Sequence, residues 1–150
     1  MSTVTAIQGS RTALTVTGLA ALAAATFVAS DAYNCAANDP LEILVEVALA
    51  TTNTPTGSFK ADVFIQASLD GSNYTSGPTS GTSVTDLGDL HYLGSVPINS
   101  ATTTHRRVFA VSPLFGGVLP AYFKVIVKND IDVALTSGTV YTAEILGSVA

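Results

Sequence analysis

Residues 41–50 read LEILVEVALA and residues 60–69 read KADVFIQASL. In the first stretch Leu41, Ile43, Val45, Val47 and Leu49 fall on one side of an extended chain, with Glu42, Leu44, Glu46 and Ala48 on the other. A period of two marks a half-buried strand, because successive side chains of an extended backbone point to opposite faces. The second stretch turns Ala61, Val63, Ile65, Ala67 and Leu69 inward and Lys60, Asp62, Gln66 and Ser68 outward, beside Phe64. The alternation returns in residues 121–128 (AYFKVIVK), where Phe123, Val125 and Val127 oppose Tyr122, Lys124, Ile126 and Lys128. It returns again in residues 139–146, which part Tyr141, Ala143 and Ile145 from Val140, Thr142, Glu144 and Leu146. Less regular strands are expected over 25–30, 91–98, 105–112 and 131–136, about eight to ten strands in all.

Turn signals separate these runs: NTPTG at 53–57, DGSN at 70–73, LFGGVLP at 114–120, Asn129-Asp130 and Ser137-Gly138. Asp70-Gly71 supplies the positive φ of a tight turn, and Ser137-Gly138 does so more weakly. The stretch 76–89, rich in serine, threonine and glycine, is the longest expected loop. Many short strands with frequent turns and no helical period predict an all-β fold, an antiparallel β-sandwich or jelly roll. Its 150 residues are enough for one core and too few for two. The expected organisation is a single β-sandwich domain over 12–150, preceded by a peripheral arm over 1–11, MSTVTAIQGSR, short, polar and without an evident pairing strand.

Residues 12–30, TALTVTGLAALAAATFVAS, are uncharged and imitate a secretion signal or a short membrane span. Against both, Thr12, Thr15, Thr17, Gly18 and Thr26 interrupt the run, Arg11 is the only basic residue before it, and its length barely reaches that of a span. A buried strand, or a strand and a short helix, of a soluble fold is expected there. The lone Cys35 forms no internal disulfide, so the fold asks for no oxidising compartment.

Charged residues are 11% of the chain, against about 25% in an ordinary soluble domain, and the apolar content excludes disorder. Six Lys and Arg against eleven Asp and Glu leave a net charge of −5, which repels a phosphate backbone and argues against direct nucleic-acid binding. Neither a nucleophile elbow nor a phosphate-binding loop occurs in the sequence. Cys35, His91 and His105 are chemically able to form a thiol–imidazole pair or a metal site, but their spacing fits no metal template. They read as a packed thiol and two strand-end histidines. Glu42 and Glu46 share a strand face about 13 Å apart, beyond the reach of a glycosidase pair, and read as a solvated or interfacial face. Asn129, Asp130 and Asp132 offer oxygen ligands for calcium, though such clusters between strands are usually turns. Asn73-Tyr74-Thr75 fits the glycosylation pattern, which matters only in a secretory pathway. Arg106-Arg107 is the only basic pair, and in a strand its side chains point to opposite faces. No catalytic, cofactor-binding or metal-binding residue is assigned.

VFIQASLDGSNY at 63–74, FAVSPLF at 109–115, LPAYFKVIVKN at 119–129 and ALTSG at 134–138 together resemble a group of tailed-bacteriophage virion structural proteins. In that group a strand ends in an S-x-DG-x-x-aromatic turn, and a later L-P-x-aromatic strand leads to an Asn-bearing turn. Thr17-Gly18-Leu19, Leu22-Ala23 and Ser30 are similar to the group's opening, so the resemblance spans about residues 12–146. It implies a jelly-roll or related β-sandwich of the particle, of capsid cement or decoration type, with no catalytic residues to carry over. The implied partners are the major capsid protein and further copies of this chain, with no membrane and no direct nucleic acid. The implied location is the outer capsid surface of a virion assembled in the host bacterial cytoplasm. Candidate interface residues are Ile7, Arg11, Tyr74, Arg106 and Arg107. The alternative is a tail or fibre component presenting Tyr74 and Tyr92 to a receptor or carbohydrate, although the chain has no tryptophan for a stacking platform.

Overall fold

The computed structural model describes residues 4–82 and 87–149, and among them eleven strands. These are β1 (Val4–Gln8), β2 (Thr12–Leu14), β3 (Thr26–Ala29), β4 (Tyr33–Asn34), β5 (Glu42–Ala50), β6 (Lys60–Ser68), β7 (Ser80–Thr82), β8 (His91–Pro97), β9 (His105–Ala110), β10 (Tyr122–Asn129) and β11 (Ser137–Val149). The first sheet runs β1-β11-β5-β9, with β2 also on β11; the second runs β7-β3-β10-β6-β8, with β4 also on β10. Every pairing is antiparallel. Counting β1 with β2 and β3 with β4, the first sheet reads first, eighth, third, sixth. The second reads second, seventh, fourth, fifth. That order is two nested Greek keys, a jelly roll, with β7 inserted between its fourth and fifth strands.

The alternating runs supply the core between the sheets. Ile43, Val45, Val47 and Leu49 of β5 meet Ala61, Val63 and Ile65 of β6 and Phe123, Val125 and Val127 of β10, all fully buried. The ends of the alternation fail: Leu41 and Leu69 lie outside their strands and stand 53% and 86% exposed. Asp62 and Gln66, expected outward, are buried. The reason is a second small core on the outer face of the second sheet, where Phe27, Phe64 and Ile126 pack with Leu90. The chain after β6 crosses that face, and Gln66 ties it down by donating to the Thr75 carbonyl at 2.7 Å. β6 is therefore buried on both sides. The expected loop 76–89 contains β7, paired to β3, and its part at 83–86 lies outside the described residues.

Three further expectations are corrected. Residues 131–136 form no strand: Asn129, fully buried, donates to the carbonyls of Leu22 and Val133 and accepts from the amide of Ile131, winding the segment into a turn. Ile131 and Leu135 plug the sandwich from that turn, which is why they mimic period two. Gly138 is not a turn glycine but lies inside β11, where a Cβ would meet Leu19 Cγ at 2.5 Å. Residues 4–8 are not an unpaired arm, because β1 pairs with residues 145–149 of the same chain. β11 is long enough to run past the start of β5, whose last partner is Ile145, so its end with β1 extends as a two-stranded ribbon. Residues 12–30 divide into β2, a 3-10 turn Leu19–Ala21 and β3. No helix among the described residues is long and apolar enough to cross a membrane.

Candidate interaction surface

The outer face of the first sheet is set by register. Glu46 of β5 lies opposite Val108 of β9 on one side and Tyr141 of β11 on the other. Arg11, just before β2, lays its guanidinium over the Tyr141 ring, 3.4 Å from the centroid, and pairs with Glu46 Oε1. Arg106 Nη1 lies 3.8 Å from the same oxygen. Two half-exposed guanidiniums thus share one carboxylate, which leaves one positive charge in excess around Val108, itself 55% exposed. Exposed pairs of this kind add little to stability, so their consequence is a local field rather than a fold. Arg107 points to the other side of β9 as expected, donating to the Ser95 carbonyl at 3.0 Å beside Phe109. All three arginines belong to this sheet or its margin, and the three lysines, Lys60, Lys124 and Lys128, to the other.

One end of the sandwich has the opposite character. Ser68 and Tyr74 close a turn in which Asp70 accepts from the amides of Ser72 and Asn73 and from the Asn73 side chain. These bonds, the Asn73 amide first, hold the Asp70 carboxyl well below the usual carboxylate range. Gly71, at φ +76°, takes the left-handed position that the Asp-Gly pair predicts. The Asn73 amide of the glycosylation pattern is occupied within this turn. Beside it opens a cavity of about 690 Å³, walled by the turn, by His91 and Phe115, and by residues 118–120. Its rim carries Leu69, 86% exposed, and Val118, 71% exposed, the two most exposed of the large apolar side chains described. A smaller cavity on the far side of residues 118–120 extends the surface to Asp39 and Pro40. Leu41 and the ribbon follow, for a Cβ on Gly147 would touch Leu41 at 3.3 Å.

Of the five candidate residues, Arg11 and Arg106 come together on Glu46, while Arg107 turns to the opposite side of β9. Ile7 lies apart on the ribbon, 51% exposed, opposite Leu146. Tyr74 lines the large cavity, its ring 4.4 Å from Lys124 Nζ, and its hydroxyl is buried without a hydrogen-bond partner among the described residues. That burial, with the Asp70 charge next, raises its pKa. Sequence reasoning passed over Leu69, which continues the β6 alternation, and Val118, which hides between two glycines and a proline. Only the Asp70-Gly71 break marks Leu69 as lying beyond the strand.

Several other titratable groups are individually engaged. Glu42 is not a solvated residue: its Oε1 accepts from the amides of Ile43, Val111 and Ser112, and its Oε2 from the Ser112 hydroxyl. Glu144 accepts from Tyr33 at 2.6 Å and from Asn38. Burial, then the Glu144 charge, pushes the Cys35 thiol up to about 12, so it stays protonated and a poor nucleophile near neutral pH. His105 bonds within its own loop to Ser100, and His91 packs against Phe115 at 4.6 Å between ring centroids. Asp130 pairs with Lys128, while Asp132 accepts from the amide and hydroxyl of Thr56. No group of three His, Cys, Asp or Glu among the described residues is placed to hold a metal ion.

No family model matches this chain, and no curated protein matches it. Among solved structures, one of infectious bursal disease virus, Gt strain, aligns with 99% of this chain at 11% identity and a TM-score of 0.15. The chain spans 40% of the length of that viral chain. A likeness this slight carries no argument about fold or function.

Proposed function

We propose that this chain is a non-enzymatic structural protein of a bacteriophage particle, a cement or decoration protein on the outer capsid surface that binds the assembled shell and stabilises it. The observation that carries the reading is the end surface of the sandwich, where Leu69, Val118 and Leu41 stand exposed next to a concave apolar cavity. Contiguous exposed apolar area rimmed by polar groups is the signature of a surface that is covered in use. The jelly-roll order agrees with a capsid role without fixing it, because one fold hosts many functions. A protein that binds the assembled lattice and not the loose subunit stabilises the assembled state by mass action.

The test is the copy number of this chain relative to the major capsid protein, by quantitative mass spectrometry of purified particles. A ratio near one supports a lattice-wide cement, and absence from particles overturns the reading. A second reading, a tail or fibre component that binds a carbohydrate receptor, draws on the rings of Tyr74, His91 and Phe115 around the cavity. A handful of copies per particle, with glycan-array binding lost in Tyr74→Ala, favours it.

A further inference from the structure

Glu144 of β11 carries a charge half-buried between the sheets. It shares its side of the strand with Val140 and Thr142, both buried, and its carboxylate accepts from the Tyr33 hydroxyl of the second sheet at 2.6 Å. The Tyr33 ring stacks on Phe123 of the core, 5.1 Å between centroids. Burial, then the bond to Glu144, raises the Tyr33 pKa, so the phenol stays a proton donor. The other donor is the Asn38 side chain, whose Nδ2 reaches both carboxylate oxygens at 3.0 and 3.1 Å. Both donors are neutral, and no lysine, arginine or histidine pairs with Glu144 among the described residues. Neutral donors satisfy oxygens but leave the negative charge whole, and in a partly dehydrated site that charge attracts a cation more strongly than it would in water. Beside it opens a cavity of about 340 Å³, walled by Gly9, Ser10, Thr12 and Thr142 as well as Tyr33 and Asn38. Arg11, although it lies between Ser10 and Thr12 in the chain, is turned to the outer face of the sheet, where Glu46 and the Tyr141 ring hold it.

We propose that this cavity binds a primary ammonium on an unbranched alkyl stem, the group carried by a lysine side chain or a free alkylamine. The lining presents one negative charge amid hydroxyl and carbonyl oxygens and no positive group, which selects a cation. The cation is an ammonium rather than a guanidinium, because Asn38 already spans the two carboxylate oxygens that a guanidinium fork would need. It is not a divalent metal, which takes six or more oxygens and draws on several carboxylates, while Glu144 stands in no group of three potential ligands among the described residues. An ammonium asks for three acceptors, and one carboxylate with neighbouring hydroxyls supplies them. The cavity is about ten times the volume of one water molecule, so the stem fits along with the charged head. The site shares no wall residue with the two cavities of the end surface and needs no capsid. It therefore goes beyond the proposed function, and either can fail without the other.

The experiment is an NMR titration of the full, isotope-labelled chain with n-butylammonium at constant ionic strength. The Asn38 side-chain amide resonances report on the carboxylate they touch. For so small a ligand a saturable shift with a dissociation constant of about 1 mM is expected. Tetramethylammonium, which has the charge but no N–H donor, should produce none. Glu144→Gln should weaken binding about tenfold or more. Because Glu144 also holds Tyr33, Thr12→Lys gives a second measurement should that variant not fold. Thr12 lies opposite Thr142 and lines the cavity, so the introduced ammonium reaches Glu144 from within the chain and excludes n-butylammonium. Repeating the titration with Nα-acetyl-lysine methylamide separates the sources: comparable binding assigns the cavity to a lysine side chain of a partner, and binding of n-butylammonium alone assigns it to a free amine. No saturable shift with either ligand, equal shifts with tetramethylammonium, or undiminished binding in either variant overturns the proposal.

Discussion

Glu42 offers the sharpest test of how the cavity end is held. Its carboxylate, at the start of β5, accepts from the amides of Ile43, Val111 and Ser112 at 2.9–3.0 Å and from the Ser112 hydroxyl. Ser112 opens the 3-10 turn Ser112–Phe115, which delivers Phe115 to the cavity wall. In Glu42→Ala the Val111 amide keeps the Ile43 carbonyl at 3.1 Å, while the amides of Ile43 and Ser112 lose this acceptor. Leaving a buried donor unsatisfied costs about 1–3 kcal/mol, and the half-buried position admits some water, so the expected loss is about 3 kcal/mol. Glu42→Gln keeps a carbonyl oxygen for the amides and an NH2 for the Ser112 hydroxyl. It forfeits only the assistance of the charge, about 1 kcal/mol.

Equilibrium urea unfolding at neutral pH measures both, the shift appearing in the midpoint with the slope unchanged. For a chain of this size the alanine variant should melt about 6–12 °C below the wild type. Its His91 ring resonances should shift as well, because Phe115 packs on that ring. An alanine variant within about 0.5 kcal/mol of the wild type, or a glutamine variant as damaged as the alanine one, refutes the assignment of Glu42 as a hydrogen-bond anchor.

Gly138→Ala places a methyl group 2.5 Å from Leu19 Cγ and should cost about 1–3 kcal/mol by overpacking; in the double variant with Leu19→Ala the two losses should sum to less than their separate values in urea titrations. Asn129→Ala removes three hydrogen bonds from a fully buried side chain and should cost about 2–4 kcal/mol, and calcium should leave the melting temperature of the wild type unmoved. Asp70 and Asp132 are both held below the ordinary carboxylate range, by the Asn73 amide and the Thr56 hydroxyl respectively. Carboxyls with lowered folded-state values stabilise the fold fully above the unfolded value of about 3.9 and lose that stabilisation as pH falls through the folded value. Melting temperature should therefore fall on the acid side of about pH 4, and less steeply in Asp70→Asn; parallel curves for the two proteins would count against the turn network.

The central strands were legible because their alternation is long enough to be unambiguous. Ile43 to Leu49 and Phe123 to Val127 need no more than a period of two and β-branched side chains. Where the sequence misled, it did so for identifiable reasons. Period two says which residues share a face, but not whether the other face is also covered, so the burial of Gln66 beneath Thr75 and of Asp62 beside Lys60 and Tyr92 was invisible. Ile131, Val133 and Leu135 alternate like a strand, yet the Asn129 side chain had already captured the backbone they would have paired. Ser137-Gly138 has the chemistry of a turn, and only the position of Leu19 shows that the glycine serves close approach. In the candidate surface, Arg106 and Arg107 were readable as divergent. The meeting of Arg106 with Arg11 depends on the β5 pairings with β9 and β11, contacts 95 residues apart that no local pattern encodes.

The distribution of charge limits how a partner can be recognised. Most of the chain's few charges are consumed internally: Glu42 anchors a turn, Glu144 holds Tyr33 and Asn38, Asp70 and Asp132 tie loops, and Lys60 and Lys128 pair with Asp62 and Asp130. What stays outward is the arginine excess on one sheet face, Lys124 beside the Tyr74 ring, and acids such as Asp39 and Asp31 at the surface. Too few charges remain for an interface built on ion pairs. Recognition must then draw its affinity from burying side chains such as Leu69, Val118 and Val108, with the residual charges setting orientation. Neutralising Arg106 as Arg106→Gln should accordingly weaken binding less than placing a charge at Val118, whether the partner proves to be a neighbouring copy or the shell.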